Sequence, residues 1–273
     1  IVYAYMAGSS VSIGALFVAA AIPSVIITAV FMAQCWWIAR KRNYPLTGEP
    51  FTVTRLAEAT RASWLTLALP IGVVAGIIGG AFTATEGAAI AVVGALLIGF
   101  FVTRQLKVSD LPEILYRSAV MSGVVAAMIA FASTVTFLLT VDLLPQALAD
   151  WLRSITSSPI VFNLLVAVLL LVVGMFLESN AAYIMLVPLL HPIAMSYGID
   201  PNHFAFLFVL NLIIGMMTPP VGVVLFVICS MTGIRMGELV RHCMPFIVSQ
   251  YALLVLCIVF PPLVTWLPKV VGY

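Results

Sequence analysis

Two short stretches carry the side chains best suited to holding a small charged species. In GMFLESNAAYIMLVPLLHP (174–192), Glu178, Ser179 and Asn180 place a carboxylate, a hydroxyl and a carboxamide together between two apolar runs. In VLNLIIGMMTPPVGVVLFVICS (209–230), Thr218-Pro219-Pro220 interrupts a long apolar run, with Gly215 and Gly222 on either side. Grouped hard oxygen donors suit Na⁺, as they suit other hard cations. Consecutive prolines remove two N–H donors and clash with the preceding turn. The spacing therefore predicts two half-helices, about 202–216 and 220–231, joined by an unwound link. Carbonyls of Gly215, Met216 and Met217 would then be free to meet a cation, and the second half-helix would offer its N-terminus to an anion. Simpler alternatives stand beside these readings. Ser179 or Asn180 can cap the following helix, and the proline pair can merely kink an ordinary span.

The elements that position these residues follow from composition. The chain has 273 residues, of which 12 are Lys or Arg and 10 are Asp or Glu; 63% are apolar and 8% charged. Soluble domains carry about 25% charged residues to cover their surface, so that class is excluded, together with disorder, disulfide scaffolds and coiled coils. A net charge of +2 is too small for a nucleic-acid binder. A membrane-crossing helix needs about 20 mostly apolar residues. Such runs fall near 12–39, 65–82, 87–103, 118–141, 159–177, 182–197, 202–231 and 244–267. The opening IVYAYMAGSS lacks the basic region and cleavage site of a signal peptide and reads as the interior of a longer chain.

Arg40, Lys41, Arg42, Arg55 and Arg61 share one connecting stretch, Arg104, Lys107 and Arg117 another, and Arg235 and Arg241 a third. If successive runs each cross the bilayer, these stretches lie on one side, which the positive-inside rule makes cytoplasmic. The turn at Glu178-Ser179-Asn180 has no Lys or Arg, unlike every stretch assigned to that side. A re-entrant hairpin with its tip near mid-bilayer is therefore favoured over a cytoplasmic turn. Irregular backbone at that depth persists only against protein or a water-filled cavity. A hairpin tip and a broken helix close together in sequence form the pattern expected of a secondary transporter. Two connectors, 51–64 (FTVTRLAEATRASW) and 143–156 (LLPQALADWLRSIT), are amphipathic. They suit the headgroup region, or rigid arms joining a fixed part to a moving one.

Other polar residues carry less. Glu86, in GGAFTATEGAA (79–89), is expected to cap a helix, and Asp142 to lie solvated at a span end. His191, His203 and His242 lie apart and are expected near surfaces. Cys35, Cys229, Cys243 and Cys257 show no ligand spacing and are expected as buried thiols. No Ser-His-Asp arrangement, P-loop or HExxH motif is present, so the chain is not expected to be an enzyme.

GGAFTATEGAAIAVVGAL (79–96), GMFLESNAAYIMLVPLLHPIA (174–194) and YGIDPNHFAFLFVLNLIIGMMTPPVGVVLFV (197–227) resemble the large membrane subunit of tripartite ATP-independent periplasmic (TRAP) transporters. The resemblance runs through essentially the whole chain. It implies an all-α elevator-type secondary transporter of the bacterial inner membrane, built from inverted repeats that each contain a re-entrant hairpin and a broken helix. It also implies Na⁺-coupled uptake of a carboxylate such as a C4-dicarboxylate or sialic acid. A periplasmic substrate-binding protein would deliver the substrate, and a small four-helix membrane subunit, separate or fused, would brace the scaffold. Ser179 and Asn180 match the second hairpin tip of that family; Gly215, Thr218, Pro219, Pro220 and Gly222 match its second broken helix, around a sodium site. Asp200, Pro201, His203 and Phe204 match a motif expected to be structural. IVYAYMAG (1–8) resembles the continuation of the first repeat's break, so about one repeat would lie outside this sequence.

With the residue reading, this gives Ser179, Asn180, Gly215, Met217, Thr218, Pro219 and Gly222 as the candidate Na⁺ site. Glu178, Ser179, Asn180 and Pro220 are the candidate substrate contacts. No basic residue sits at the expected midplane, so an anionic substrate would rest on helix ends and hydroxyls, or on residues outside this chain. The expected division is 1–50, the end of the first repeat; 51–158, scaffold helices with amphipathic arms; 159–231, the transport hairpin and broken helix; and 232–273, the final span. The competing functions are an ion channel or a proton-coupled exporter working without a binding protein, and a structural anchor. The first two need a continuous polar stripe or a carboxylate relay, and the third has no use for the two interruptions.

Overall fold

The computed structural model describes residues 1–43, 52–220 and 222–273. Its helices run in order as α1 (Val2–Ala7), α2 (Ile13–Ala19), α3 (Ala21–Lys41), α4 (Val53–Ile78) and α5 (Ala84–Leu97). They continue with α6 (Leu111–Val141), α7 (Leu144–Ile155), α8 (Pro159–Phe176) and α9 (Ser179–Ser196). The last are α10 (Pro201–Met216), α11 (Val223–Thr232), α12 (Met236–Val259) and α13 (Pro262–Val271). No strand occurs among the described residues. Five stretches of helix there are long and apolar enough to cross a membrane: Ile13–Lys41, Ala84–Val102, Val108–Val135, Pro159–Phe176 and Met236–Val259. The protein is an all-α integral membrane protein.

The chain forms two compact units, residues 39–124 and residues 1–38 with 125–273. In the first, α4 and α5 make a helical pair around the turn 79–83. A Cβ on Gly87 would lie 3.0 Å from the Ile77 side chain, so the glycine allows the close packing that small residues give apolar helices. Thr83 and Glu86 form a reciprocal capping box at the start of α5: Thr83 N–H donates to Glu86 Oε2 at 2.7 Å and Glu86 N–H to Thr83 Oγ1 at 3.3 Å. The expectation for Glu86 is met. The amphipathic stretch 51–64 supplies the opening turns of α4, which bends by 69° between Val53–Arg61 and Ser63–Ile78. Phe51 and the expected boundary at 50/51 lie outside the described residues.

In the other unit, α8 and α10 form the central pair. Phe162, Val166, Leu170 and Gly174 are buried along α8, one row at four-residue spacing. Leu207, Asn211 and Gly215 are buried along α10, beside Phe204, Phe208 and Leu212. Rows of this kind interdigitate in helix packing. Helix α1 lies on α9, where the Tyr3 hydroxyl meets His191 Nδ1 at 2.9 Å. Ser10 Oγ lies 3.0 Å from His191 Nε2 and donates to the Ala7 carbonyl. Ser10 is thus the acceptor for His191 Nε2–H, and Nδ1 accepts a hydrogen bond from the Tyr3 hydroxyl. Amphipathic α7 turns Leu148, Ala149 and Leu152 inward and attaches to α9 through Arg153, whose guanidinium donates to the Ser196 carbonyl at 2.8 Å.

Three expectations are corrected. His191 and His203 are buried rather than superficial, because each ring finds polar partners inside; His203 Nε2 lies 3.0 Å from the Cys257 carbonyl. The four cysteines are free thiols, but only Cys257 is buried, and Cys35 is exposed. The final span covers Met236–Val259 rather than 244–267, with α13 as a separate helix. Pro261-Pro262 ends it there, since neither proline can donate the N–H that would continue the helix.

Candidate functional site

The hairpin turn is two residues long, Leu177 and Glu178, between α8 and α9. Glu178 caps α9: its Oε2 accepts from Asn180 N–H at 3.0 Å and Ala181 N–H at 3.4 Å. Ser179 Oγ donates to Glu178 Oε1 at 3.2 Å. The cap expected of Ser179 or Asn180 is therefore supplied by the residue before them. A carboxylate suits that place because it answers the unpaired N–H groups and the positive end of the helix dipole. Glu178 itself is exposed, and Ser179 and Asn180 are half-buried at the first turn of α9.

The break follows Met216, as the proline pair predicts. Met217 N–H donates to the Ile214 carbonyl at 3.0 Å and Thr218 N–H to the Gly215 carbonyl at 2.9 Å, a tightened last turn. Thr218 Oγ1 donates to the Ile214 carbonyl at 2.8 Å. The Gly215 carbonyl is thus engaged rather than wholly freed. Among the described residues no hydrogen bond reaches the carbonyls of Met216 and Met217. The Pro219-Pro220 bond is cis. Gly222, at φ 58° and ψ 75°, is the N-cap of α11, a left-handed conformation that glycine adopts without steric cost.

The turn and the break lie against one another. Gly222 N–H donates to the Met175 carbonyl at 3.2 Å. At the neighbouring residue of α8, that helix and α10 touch backbone to backbone: a Cβ on Gly215 would lie 2.9 Å from Gly174 Cα, and one on Gly174 would lie 3.1 Å from Gly215 Cα. The structure so brings Gly215 and Gly222 to the hairpin's end. No hydrogen bond joins Ser179 or Asn180 to residues 215–220 or 222. Gly174 and Met175, which make the junction, carry no polar side chain that would mark them in the sequence; a glycine one turn before the hairpin tip, matched by Gly215, is the signal available there.

The sequence profile of the family described as "Tripartite ATP-independent periplasmic transporter, DctM component" matches residues 1–263. The chain belongs to this family. It is 35% identical over 266 residues to the C4-dicarboxylate TRAP transporter large permease protein DctM of Pseudomonas aeruginosa, covering 97% of this chain and 60% of that protein. It is 36% identical over 266 residues to the sialic acid TRAP transporter large permease protein SiaM of Vibrio cholerae, covering 97% of this chain and 62% of that one. The isethionate TRAP transporter permease protein DctMQ of Oleidesulfovibrio alaskensis is 32% identical over 257 residues, 94% of this chain and 40% of that protein. The chain thus spans about three fifths of the length of the large-permease relatives. These relatives are named as permeases, not as enzymes. Within the TRAP permease chain, the motif around Asp200 is structural: Asp200 Oδ1 accepts from His203 N–H at 2.9 Å and Pro201 opens α10.

Proposed function

We propose that this chain is part of the large permease of a Na⁺-coupled, binding-protein-dependent importer of organic acids in the bacterial inner membrane. The observation that carries the reading is the Gly222–Met175 backbone bond, which sets a helix break beside a polar hairpin turn. Na⁺ is held there by the carbonyl of Met217, with that of Gly215 through its second lone pair, and by the hydroxyls of Thr218 and Ser179 and the amide of Asn180. Pro219 and Gly222 shape the link. A carboxylate substrate rests against the α11 N-terminus, Ser179, Asn180 and Pro220. Glu178 acts at that surface through its charge and its cap, which favour the cation and orient the first turn of α9. C4-dicarboxylates and sialic acid, named for the relatives, are the first substrates to test.

Transport is of the elevator type, with the α8–α11 body as the moving part. The hairpin turn and the break belong to one compact unit, as parts that travel together must. A small membrane subunit and a periplasmic binding protein complete the system, the former fused in some members. The test is uptake of labelled C4-dicarboxylate and sialic acid into proteoliposomes holding the full-length permease, its small subunit and the binding protein. Uptake should require an inward Na⁺ gradient and the binding protein. Equal uptake with K⁺ in place of Na⁺ would remove the coupling.

A further inference from the structure

Away from the turn and the break, two side-chain amides are buried within the α8–α10 pair. Asn163 is 6% exposed and Asn211 1%. Asn211 Nδ2 donates to the Ala167 carbonyl at 2.7 Å. That bond fixes the amide's orientation, since the flipped amide would set oxygen against oxygen. Asn211 Oδ1 then points away from Ala167, and neither it nor Asn163 Oδ1 receives a donor from the described protein. Both residues line one narrow, partly open space of about 10 Å³ between α8, α10 and α12. The remaining lining is apolar, including Val166, Leu170, Phe204 and Leu254.

A buried acceptor without a donor is costly in a low-dielectric interior. The space is about that of one water, for which roughly 10–15 Å³ on this measure suffices. Two acceptors ask for two donors, and one water has two O–H groups. A cation is a poorer occupant: it needs a shell of several oxygens, and this lining offers two amides among hydrocarbon. We propose that a single water molecule is bound here, donating to Asn163 Oδ1 and Asn211 Oδ1 and bridging α8 to α10. The bridge holds the register of the two helices that end at the hairpin turn and at the break. It stands whether or not Na⁺ binds at those ends.

The test uses the full-length permease with its small subunit. A map that resolves ordered water should show one peak within hydrogen-bond distance of both amide oxygens. An empty space, or a peak with a complete oxygen shell, overturns the proposal. Asn163→Leu and Asn211→Leu, near-isosteric and apolar, are then compared singly and together by thermal unfolding in detergent. Each single change should lower Tm by leaving the other amide and the water half-partnered. The double variant should lose clearly less than the sum of the two. Additive losses overturn the proposal, because they mean the amides share no ligand. If the leucine variants fail to accumulate, Asn163→Ala and Asn211→Ala are put through the same cycle and judged by the same criterion.

Discussion

Thr218 concentrates the chemistry of the break in one side chain. Its hydroxyl donates to the Ile214 carbonyl and its oxygen lies beside the Tyr251 hydroxyl, so its lone pairs are shared between that group and a cation. Thr218→Val keeps the shape and removes those lone pairs. Hydrogen bonds and dipoles directed at a charge contribute about 1.5–3 kcal/mol, so Na⁺ affinity should fall by about 10–100-fold. The Na⁺ concentration giving half-maximal uptake reads this directly, and an unchanged value removes Thr218 from the site. Asn180→Leu should likewise cut Na⁺-driven uptake while leaving expression intact. Glu178→Ala removes a helix cap, which costs about 0.5–2 kcal/mol. It should therefore lower Tm in KCl as well as transport, whereas Thr218→Val should lose only the Na⁺-dependent part of Tm.

At the scale of elements, the contact between α8 and α10 depends on two glycines. Gly215→Ala places a methyl 2.9 Å from Gly174 Cα, and a backbone neighbour cannot swing aside. Overpacking of this kind costs about 1–3 kcal/mol, and thermal unfolding should show it. Gly123→Ala in α6 meets nothing within 4 Å and should be neutral or stabilising by about 0.5–1 kcal/mol. Equal behaviour of the two variants would mean that the α8–α10 contact is not close. The break was legible because Pro219-Pro220 carries a local steric signal, and the Glu86 cap because Thr83 stands three residues before it. The same signal at Pro261-Pro262 defines α13, although the apolar run around it reads as one span. The Gly174–Gly215 contact joins residues far apart in sequence, so no local pattern states it. The burial of His191 was hidden for a similar reason: its partners, Tyr3 and Ser10, come from the other end of the chain.

For the molecule as a whole, a ligand that binds only the folded state raises stability through mass action. Na⁺ at ten times its Kd should stabilise the full-length permease by about 1.4 kcal/mol. The shift is read as a higher Tm in NaCl than in KCl at equal ionic strength, and Thr218→Val should abolish it. Identical melting in the two salts would count against a Na⁺ site. The clasp between the hairpin and the break is made by main chain alone, from Gly222 N–H to the Met175 carbonyl. Side-chain replacement at 175 therefore leaves it standing, whereas Gly222→Ala strains the left-handed cap itself, so an alanine scan cannot isolate the bond. Exchanging the amide linkage for an ester by chemical synthesis would unfasten it while leaving every side chain in place.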